Sequence, residues 1–472
     1  MAQHPDTAAI VLAAGDGKRL KSELPKVLHR VAGRSLVGHV LAALEPLGLG
    51  QVVVVASTRA DEIAEAIAAE GLQLAPDFVI QEIPRGTGDA VRMALPALRD
   101  GTRRVVVLAG DTPLIRNETI GSMLARQAET SSAATMLTAR VQNPAGYGRV
   151  VRATDGAIER VVEQRDATAD EAAIDEINTG AFVFEVDALS TVLPKIGSDN
   201  AQQEYYLTDS MSLLLAEGHP VSSFETSADE AIGVNSRSQL AEVGERLRTA
   251  VTDRLMEQGV TIVDPATTFI DSTVEIEPDA TIHPFSFLEG ATTIGPGAEV
   301  GPQVRIIDSE VKARAVVTFA VVRGSSIGEE ASVGPFASLR PGTVLDKGSR
   351  AGTFVETKKT TIGEGSKANH LAYLGDATIG KGVNVGAGTI TCNWDGTEKH
   401  ETVIDDDAYI GSDTMLVAPT HIGKRAATGA GSVVRGDVPD DALAVGVPAR
   451  IIEGKGDKMA KGEDKPPGEP RG

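Results

Sequence analysis

The first residues suited to chemistry form a glycine-rich loop near the start of the chain. Gly15 and Gly17 follow an apolar run, and Arg19 and Lys26 come soon after them. Glycines let a backbone approach a ligand closely and turn its N–H groups toward it. The two cations add positive charge, so the loop suits the phosphates of a nucleoside triphosphate. The spacing matches neither G-x-G-x-x-G nor G-x-x-x-x-G-K-[ST], which disfavours dinucleotide and P-loop sites. A tight turn with solvated basic residues is the alternative.

A second candidate is Asp111, which closely follows the apolar run Val105–Ala109. A carboxylate at the end of a buried strand is well placed to hold Mg²⁺, which takes one or two protein oxygens and completes its shell with phosphate and water. Gly15 also follows a predicted strand, so a parallel sheet would bring both residues to its ligand-binding edge. An aspartate that only shapes the turn before Pro113 is the alternative.

A third candidate, His370, follows a charged segment in the second half of the chain. Imidazole can take up and release a proton at neutral pH, so His370 is a candidate general base. A structural histidine is the alternative.

The elements that must position these residues alternate in the first half of the chain. Apolar runs predict strands at Ala8–Ala13, Val52–Ala56, Phe78–Gln81 and Val105–Ala109, with helices at Ser35–Leu47, Asp61–Ala69 and Gly88–Leu98. This alternation predicts βαβ units and a mostly parallel, Rossmann-like α/β domain. Three shorter strands, at Ala134–Val141, Arg149–Arg152 and Ala181–Glu185, predict an added mixed region.

In the second half, apolar residues recur at every sixth position. The series are Ile276, Ile282, Leu288, Ile294, Val300 and Ile306; Val321, Ile327, Val333, Leu339, Leu345 and Ala351; and Ile404, Ile410, Leu416, Ile422, Thr428 and Val434. This period predicts a hexapeptide-repeat parallel β-helix with three short strands per triangular coil, and a meander of hairpins is the alternative. Two interruptions, Val355–Asn369 and Ile390–Val403, are predicted to be inserted loops on a binding face.

Four segments follow from these patterns. Residues 1–237 form the nucleotide-binding domain, 238–259 a linker helix with a capping box at Ser236 and Gln239, and 260–452 the β-helix. Residues 453–472 have little to bury and are predicted to be disordered.

Composition excludes several classes of function. The net charge of −21 disfavours binding to nucleic acid or to an anionic membrane surface. No apolar run approaches the roughly 20 residues of a membrane span. The single cysteine, Cys392, excludes an internal disulfide framework and a cysteine-based zinc site, and it favours a cytoplasmic location.

The string from Leu12 to Arg19, followed by Pro25-Lys26, resembles the L-A-A-G-x-G-x-R…P-K signature of the sugar-nucleotide pyrophosphorylases. Together with the repeats, the chain from about Ala8 to Pro448 resembles the bacterial bifunctional N-acetylglucosamine-1-phosphate uridylyltransferase / glucosamine-1-phosphate N-acetyltransferases. The resemblance implies a left-handed β-helix and a homotrimer. It also implies two reactions: acetyl-CoA acetylates glucosamine-1-phosphate, and UTP then transfers UMP to the N-acetylglucosamine-1-phosphate formed, with release of pyrophosphate. The product, UDP-N-acetylglucosamine, serves cell-wall building.

The resemblance further implies a uridylyl-transfer site. Asp111 and Asn235 would hold Mg²⁺, and Arg19 and Lys26 would stabilise the phosphates. The substrate contacts fall on Leu12, Ala13, Ala14, Gly15, Lys26, Gln81, Gly86, Thr87, Gly148, Glu163, Asn178 and Asn235. Ala109 departs from the family, because related enzymes often carry Tyr there.

An acetyl-transfer site is implied as well, with His370 as its base and Glu356 orienting the amine or the base. The sugar-phosphate contacts are Arg340, Lys358, Tyr373 and Asn384, and the acetyl-CoA contacts are Ala387, Asn393, Trp394, Ser412 and Ala430. Trp394 replaces a Tyr common in the family. The Arg that many relatives place just before Val447-Pro448 is absent, so Arg435 or Arg450 would have to replace it.

Two other classes of function stay open at this point. One is a pyrophosphorylase with a single activity, whose β-helix only assembles or regulates it. The other is a noncatalytic scaffold. His370 with its cationic neighbours disfavours the first, and the intact Arg19, Lys26 and Asp111 disfavour the second.

Overall fold

The computed structural model describes residues 4–15 and 17–456, so most of the predicted disordered tail lies outside the described residues. The chain divides into two compact units, Met1–Leu247 and Arg248–Gly472. Among the described residues, no helix is both long and apolar enough to cross a membrane.

The first unit contains eleven strands and seven α-helices in its described part, and an eighth helix begins there. The strands are His4–Ala13 (β1), Arg30–Val31 (β2), Arg34–Ser35 (β3), Leu49–Ala56 (β4), Asp77–Ile80 (β5), Arg104–Ala109 (β6), Ala134–Arg140 (β7), Gly148–Arg152 (β8), Ile158–Val162 (β9), Glu176–Glu185 (β10) and Val221–Thr226 (β11). The α-helices are Leu36–Leu44 (α1), Ala60–Ala68 (α2), Thr87–Ala94 (α3), Asn117–Thr130 (α4), Ala169–Ala172 (α5), Val186–Val192 (α6), Asp209–Ala216 (α7) and Arg237–Glu257 (α8). Short 3₁₀ turns occupy Lys18–Leu20, Lys26–Leu28, Glu45–Leu47, Leu95–Ala97, Leu193–Lys195 and Ala228–Ala231.

The main sheet has the order β11-β7-β10-β6-β1-β4-β5. Strand β1 is parallel to both β4 and β6, whereas β10 runs antiparallel to β6 and β7. This mixed sheet agrees with the predicted α/β class. Leu12 pairs with Ala109, so Gly15 and Asp111 follow their strands at the same edge.

The sheet is buried on both faces. Successive residues of β4 show this: Val52 and Val54 join one apolar cluster, and Val53 and Val55 join the other. The cluster of Val52 includes residues of α1, α2 and α4, and that of Val53 includes residues of α3, α6 and α7. Each fully buried valine stabilises the fold by about 1.5–3 kcal/mol, which is why the parallel strands are continuous apolar runs.

Two predicted helices are shorter than expected because of proline. The segment predicted as Ser35–Leu47 is α-helical over Leu36–Leu44 and ends in a 3₁₀ turn around Pro46. The segment predicted as Gly88–Leu98 ends in the same way around Pro96. A proline cannot donate the helical hydrogen bond and clashes with the preceding turn.

Helix α8 contains the boundary between the units. Ser236 Oγ accepts a hydrogen bond from the Gln239 N–H (3.2 Å), one half of the predicted capping box. The Gln239 side chain accepts from the N–H of Asn235 (2.8 Å) instead of that of Ser236. Gly259, with a φ of 94°, follows the end of the helix.

The second unit is a ladder of short strands, with one 3₁₀ turn at Pro265–Thr267. The strands are Thr261–Ile262 (β12), Phe269–Ile270 (β13), Glu275–Ile276 (β14), Thr281–Ile282 (β15), Phe287–Glu289 (β16), Thr293–Ile294 (β17), Glu299–Val300 (β18), Arg305–Ile307 (β19), Glu310–Val311 (β20), Val316–Val317 (β21), Ala320–Arg323 (β22), Ser326–Ile327 (β23), Ser332–Val333 (β24), Ala337–Leu339 (β25), Val344–Leu345 (β26), Arg350–Ile362 (β27), Lys367–Ile379 (β28), Asn384–Val385 (β29), Ile390–Cys392 (β30), Thr402–Ile404 (β31), Tyr409–Ile410 (β32), Met415–Val417 (β33), Thr420–Ile422 (β34), Ala427–Thr428 (β35), Val433–Val434 (β36), Leu443–Gly446 (β37) and Ala449–Ile452 (β38).

The pairing identifies this unit as a parallel β-helix. A strand generally pairs in parallel with the third strand after it, as β13 does with β16 and β16 with β19. Three strands therefore make one coil, as the repeat predicts. The antiparallel pair β37–β38 ends the ladder.

The predicted core positions are buried in the first and third series, but the second series starts one residue too early. Val322 is fully buried, whereas Val321 is only partly buried. The inward positions run Ile306, Val311, Val317, Val322 and Ile327, all buried. Three of these steps are five residues long, which a strict period of six does not anticipate.

One of the two predicted insertions is wrong. Val355–Asn369 is not a loop: it belongs mostly to β27 and β28, which pair in parallel from Arg350–Lys367 to Ile362–Ile379 with a constant offset of 17 residues. The charges of this segment sit on outward positions of ordinary coils. The second insertion is confirmed, because Ala377 pairs with Thr402, 25 residues later, and the extra residues lie between β30 and β31.

Candidate functional sites

A cavity of about 340 Å³ lies at the edge of the first unit's sheet where β1 and β6 end. Eight of the predicted substrate and metal residues line it: Leu12, Ala14, Gly15, Lys26, Gln81, Gly86, Thr87 and Asp111. Ala13, predicted with them, is buried at the end of β1. The fold therefore brings segments from four parts of the chain to one place.

Lys26 and Asp111, which line this cavity, belong to a cluster of four groups, and the other two, Arg19 and Asn235, are not among the lining residues. Lys26 Nζ forms an ion pair with Asp111 and donates a hydrogen bond to Asn235 Oδ1 (2.8 Å). Arg19 Nη2 donates to the same oxygen (2.7 Å). The Asp111 carbonyl accepts from the Val234 N–H (2.9 Å), which fixes the segment of Asn235 beside it. Arg19, Lys26, Asp111 and Asn235 are called the phosphate cluster below.

This cluster fits a hard divalent cation. The Lys26 ammonium contacts one oxygen of Asp111 and one of Asn235, so both oxygens lie within contact distance of a single cationic atom. Carboxylate and amide oxygens are the ligands that Mg²⁺ takes, usually one or two per site. The lysine side chain is only 12% exposed, so the position is also shielded from water.

The part of the cavity wall formed by Gly86 and Thr87 is held in place by close contacts. Gly86 has a φ of 110°, and a Cβ there would lie 2.6 Å from the Tyr205 carbonyl oxygen, so only glycine fits. Thr87 Oγ1 accepts a hydrogen bond from the Leu207 N–H (3.0 Å). Glu204 also lines this cavity, and no sequence pattern pointed to it because it is one acidic residue in a polar segment.

Gly148, Glu163 and Asn178 are brought together, but outside the lining of this cavity. Asn178 pairs with Gly148 between β10 and β8, and a Cβ on Gly148 would lie 3.2 Å from Glu163 Oε1. Burial raises the pKa of Glu163, which accepts a hydrogen bond from Thr208 Oγ1 (3.1 Å). Glu163 borders a second cavity of about 310 Å³ with other acidic residues.

In the second unit, four predicted residues occupy the same corner of successive coils: His370, Ala387, Ser412 and Ala430. Backbone hydrogen bonds connect these successive coils at the corner. The N–H of Gly388 donates to the carbonyl of Leu371 (2.8 Å), that of Asp413 to the carbonyl of Ala387 (2.7 Å), and that of Gly431 to the carbonyl of Ser412 (2.8 Å). His370 is exposed, and its ring has no hydrogen-bond partner within residues 4–15 and 17–456. The imidazole is therefore open to a ligand.

The face that follows this corner carries most of the predicted sugar-phosphate residues. The Arg340 N–H donates to the Thr357 carbonyl (2.9 Å), Glu356 pairs with Tyr373, and Lys358 pairs with Gly375. Arg340 also forms an ion pair with Glu356 (3.0 Å).

Tyr373 reaches the inserted loop. A Cβ on Gly375 would lie 2.5 Å from Tyr373 Oη and 2.8 Å from Asn393 Nδ2, so the absent side chain leaves room for both groups. Asn384 lies on the face before the corner, where it pairs with Lys367 and Tyr409, so one copy of the chain does not place it beside Lys358.

The sequence reasoning missed Lys399, in the inserted loop. The Lys399 ammonium next to Lys358, with some desolvation, holds the pKa of Lys358 below its usual value. Asn393 Nδ2 donates to Asp376 Oδ2 (2.5 Å), and a bridge between Trp394 and Lys399 closes the loop. Two adjacent ammonium groups favour an anion between them. Nothing in the local sequence marks Lys399, because its neighbour Lys358 comes from a coil far earlier in the chain.

Comparisons with known proteins find relatives that cover both units of the chain. Residues 9–179 match the model of the MobA-like NTP transferase domain. Full-length relatives include the bifunctional protein GlmU of Carboxydothermus hydrogenoformans, 46% identical over 92% of this chain and 96% of the relative. The bifunctional protein GlmU of Thermobifida fusca is 47% identical over 95% of this chain and 93% of the relative. That of Streptomyces coelicolor is 47% identical over 93% of this chain and 91% of the relative. At this identity and coverage, the chain belongs to the GlmU family of bifunctional proteins.

Proposed function

We propose that residues 1–237 transfer UMP from UTP to N-acetylglucosamine-1-phosphate and that residues 260–452 acetylate glucosamine-1-phosphate with acetyl-CoA, so that the chain makes UDP-N-acetylglucosamine in two steps. The phosphate cluster carries the first assignment. It brings two cations and two oxygen ligands together beside a cavity that Lys26 and Asp111 line. The nucleotide substrates and the single cysteine favour the cytoplasm as the location.

In the first reaction, an oxygen of the sugar phosphate attacks the α-phosphorus of UTP in line, and pyrophosphate leaves. Lys26 and Arg19 would orient the phosphates and offset the negative charge that develops on them. Asp111 and Asn235 would hold Mg²⁺, which supplies further charge stabilisation at the phosphate oxygens. Before the substrates bind, Lys26 balances the charge of Asp111.

In the second reaction, His370 would take the proton of the aminosugar as its nitrogen attacks the thioester carbonyl. Lys358 lies one coil before that of His370, Arg340 lies two coils before it, and Lys399 lies in the inserted loop, so three cationic groups are offered to the sugar phosphate. Tyr373 would add a sugar contact. Above His370, the corner residues Ala387, Ser412 and Ala430 leave room for acetyl-CoA, with Ser412 as oxyanion donor and Asn393 and Trp394 beside it.

A homotrimer is supported by an apolar ladder at the same corner. Phe319, Phe336, Phe354 and Leu371 all have a positive φ there, and the last three are each more than half exposed in the single chain. The Phe336 ring stacks on that of Phe354 (5.5 Å between centroids). An adjoining cavity of about 670 Å³ is lined mainly by apolar residues. Exposed apolar area of this kind is typical of an interface, and the flat faces of a triangular prism pack around a threefold axis.

A paired assay on one preparation tests the proposal. We expect pyrophosphate release that requires UTP, N-acetylglucosamine-1-phosphate and a divalent metal, and CoA release that requires glucosamine-1-phosphate and acetyl-CoA. A chelator should stop only the first reaction. A preparation that releases pyrophosphate but no CoA would favour a pyrophosphorylase with a single activity, and one that does neither would favour a scaffold.

A further inference from the structure

Asp89 is a buried carboxylate next to the nucleotide cavity that the mechanism above does not use. It lies in the first turn of α3 and is 1% exposed. Its oxygens accept hydrogen bonds from Gln81 Nε2 (2.9 Å) and Arg85 Nη2 (3.2 Å), and also from Arg92. Of these residues, Gln81 lines the cavity, so Asp89 acts on the cavity wall from behind.

The charge of Asp89 decides how the Gln81 amide is turned. Burial acts to raise the pKa of Asp89, but the hydrogen bonds from Gln81 and Arg92 and the charge of Arg85 hold it below its usual value. An ionised carboxylate only accepts hydrogen bonds, so the group of Gln81 that faces it must be the NH₂. The same nitrogen lies 3.4 Å from the Gly86 carbonyl oxygen. Both donors therefore point into the protein.

The acceptor of the amide is left for the ligand. Within residues 4–15 and 17–456, no group donates a hydrogen bond to Gln81 Oε1. The amide is 3% exposed, so turning it over would place Oε1 against the Asp89 carboxylate. A buried acceptor facing an anion is costly, and the orientation is therefore fixed.

The phosphate cluster determines which part of a nucleotide meets Gln81. Asp111 follows β6 and Gln81 follows β5, and β1 and β4 lie between these two strands in the sheet. Lys26, which pairs with Asp111, therefore lines one side of the cavity, and Gln81 lines the side across from it. A nucleotide whose phosphates contact Lys26 presents its base to Gln81. Uracil carries an N–H at N3 between two carbonyl oxygens, and this N–H can donate to Oε1. Cytosine carries a lone pair at N3, which an acceptor repels.

We propose that Asp89 is a positioning residue that sets the nucleobase selectivity of the site, because it holds the Gln81 amide with its acceptor toward the base. The inference rests on the proposed uridylyl transfer and names a determinant of its nucleotide choice. In Asp89→Asn the carboxylate becomes an amide that can also donate, so Gln81 is free to turn over and present its NH₂ to cytosine N3.

Equilibrium titration of the full-length chain with UTP and with CTP tests this, because binding is measured without turnover. We expect the wild type to prefer UTP and Asp89→Asn to lower the UTP/CTP affinity ratio about tenfold. The matched control is Arg85→Gln, which removes one ion pair of Asp89 and keeps its bond to Gln81, so the ratio should not change. A folded Asp89→Asn with the wild-type ratio would overturn the inference, as would a wild type with no preference.

Two further arms keep the test decisive. In a Gln81→Ala background, Asp89→Asn should no longer change the ratio; a change there would mean that Asp89 does not act through Gln81. If Asp89→Asn does not fold, the wild type is titrated with UTP methylated at N3 in place of the variant. We expect this analogue to bind at least about tenfold more weakly than UTP. Equal binding of the two nucleotides would overturn the inference. A wild type that prefers UTP but releases no pyrophosphate with the sugar phosphate would refute the proposed reaction and leave the role of Asp89 standing.

Discussion

The two proposed sites of this chain differ in how much of each is present in one copy. In the uridylyl-transfer site, cations and oxygen ligands are already bonded to one another around Asn235, and Lys26 is only 12% exposed. In the acetyl-transfer site, His370 is exposed and Lys358 lies beside a second ammonium group, that of Lys399. The first site is therefore organised before its substrates bind. In the second site, the two ammonium groups would still need an anion between them, and the exposed histidine would still need a neighbouring surface.

The difference follows from the two folds. Loops at the edge of a parallel sheet surround a space from several sides, and the cavity at β1 and β6 is of this kind. A β-helix offers only flat faces and corners, so it encloses little by itself. The site proposed for it would use the corner of His370 and one inserted loop, next to exposed apolar side chains such as Leu371.

The largest expected effect separates the two sites at His370. His370→Ala should lower CoA release about 10²–10⁴-fold, because the general base is lost, and should leave uridylyl transfer to N-acetylglucosamine-1-phosphate unchanged. The control is His421→Ala, which removes an exposed histidine paired with Asp405, the residue after β31. A His370→Ala variant with wild-type acetyl transfer would make His370 a structural residue.

The reverse separation is expected at Asp111. Asp111→Ala should lower pyrophosphate release about 10²–10³-fold, because a metal ligand and the partner of Lys26 are lost together, while CoA release continues. Asp100→Ala, at an exposed turn, should change neither rate. Equal loss of both activities in a folded Asp111→Ala would contradict the independence of the sites.

A smaller effect tests the role of the inserted loop. Lys399→Ala should raise the KM for glucosamine-1-phosphate about tenfold with little change in kcat, because it removes a charge-assisted contact to the substrate phosphate. Lys424→Ala, an exposed lysine near Asp406, is the matched control. If KM does not change in Lys399→Ala, the pair of ammonium groups is not the phosphate site.

The smallest effect concerns the order of the same loop at acid pH. Hydrogen bonds from the backbone of Glu398, from His400 and from the backbone of Thr397 lower the pKa of Asp395 to about 2. Since this folded value lies below the unfolded one, the stabilisation is present above about pH 4 and is lost as the pH falls toward 2. The only tryptophan, Trp394, reports it. Its quenching by acrylamide should stay constant from pH 7 to 4 and then rise, and Asp395→Asn should show the raised value already at pH 7.

The sequence predicted best what depends on short-range pattern. The apolar runs located β1, β4, β5 and β6 to within a few residues, and the period of six predicted the parallel β-helix. The register error at Val321 arose because some coils use five-residue steps, and these depend on how each corner turns. Val355–Asn369 was misread because charge on an outward face looks like an interruption when only composition is available.

Long-range juxtapositions could not be read from the sequence. Lys26 and Asn235 are more than 200 positions apart, and only the resemblance to known enzymes placed them in one site. Lys399 and Asp89 were missed altogether. Lys399 lies in a loop beside a coil that comes much earlier in the chain. Asp89 lies behind the cavity wall, and its role is indicated by its burial and its hydrogen-bond partners rather than by its residue type.

The comparison between the sites is tested most directly by separating the copies. The double substitution Phe336→Asp and Phe354→Asp places charge in the apolar ladder, at exposed positions where the fold of each coil is expected to be kept. Sedimentation velocity gives the state of assembly, and the paired assay gives both rates per chain on the same sample. We predict a monomer with wild-type pyrophosphate release and with CoA release lost. A monomer that releases CoA at the wild-type rate would contradict the account, because the second site would then be complete in one copy.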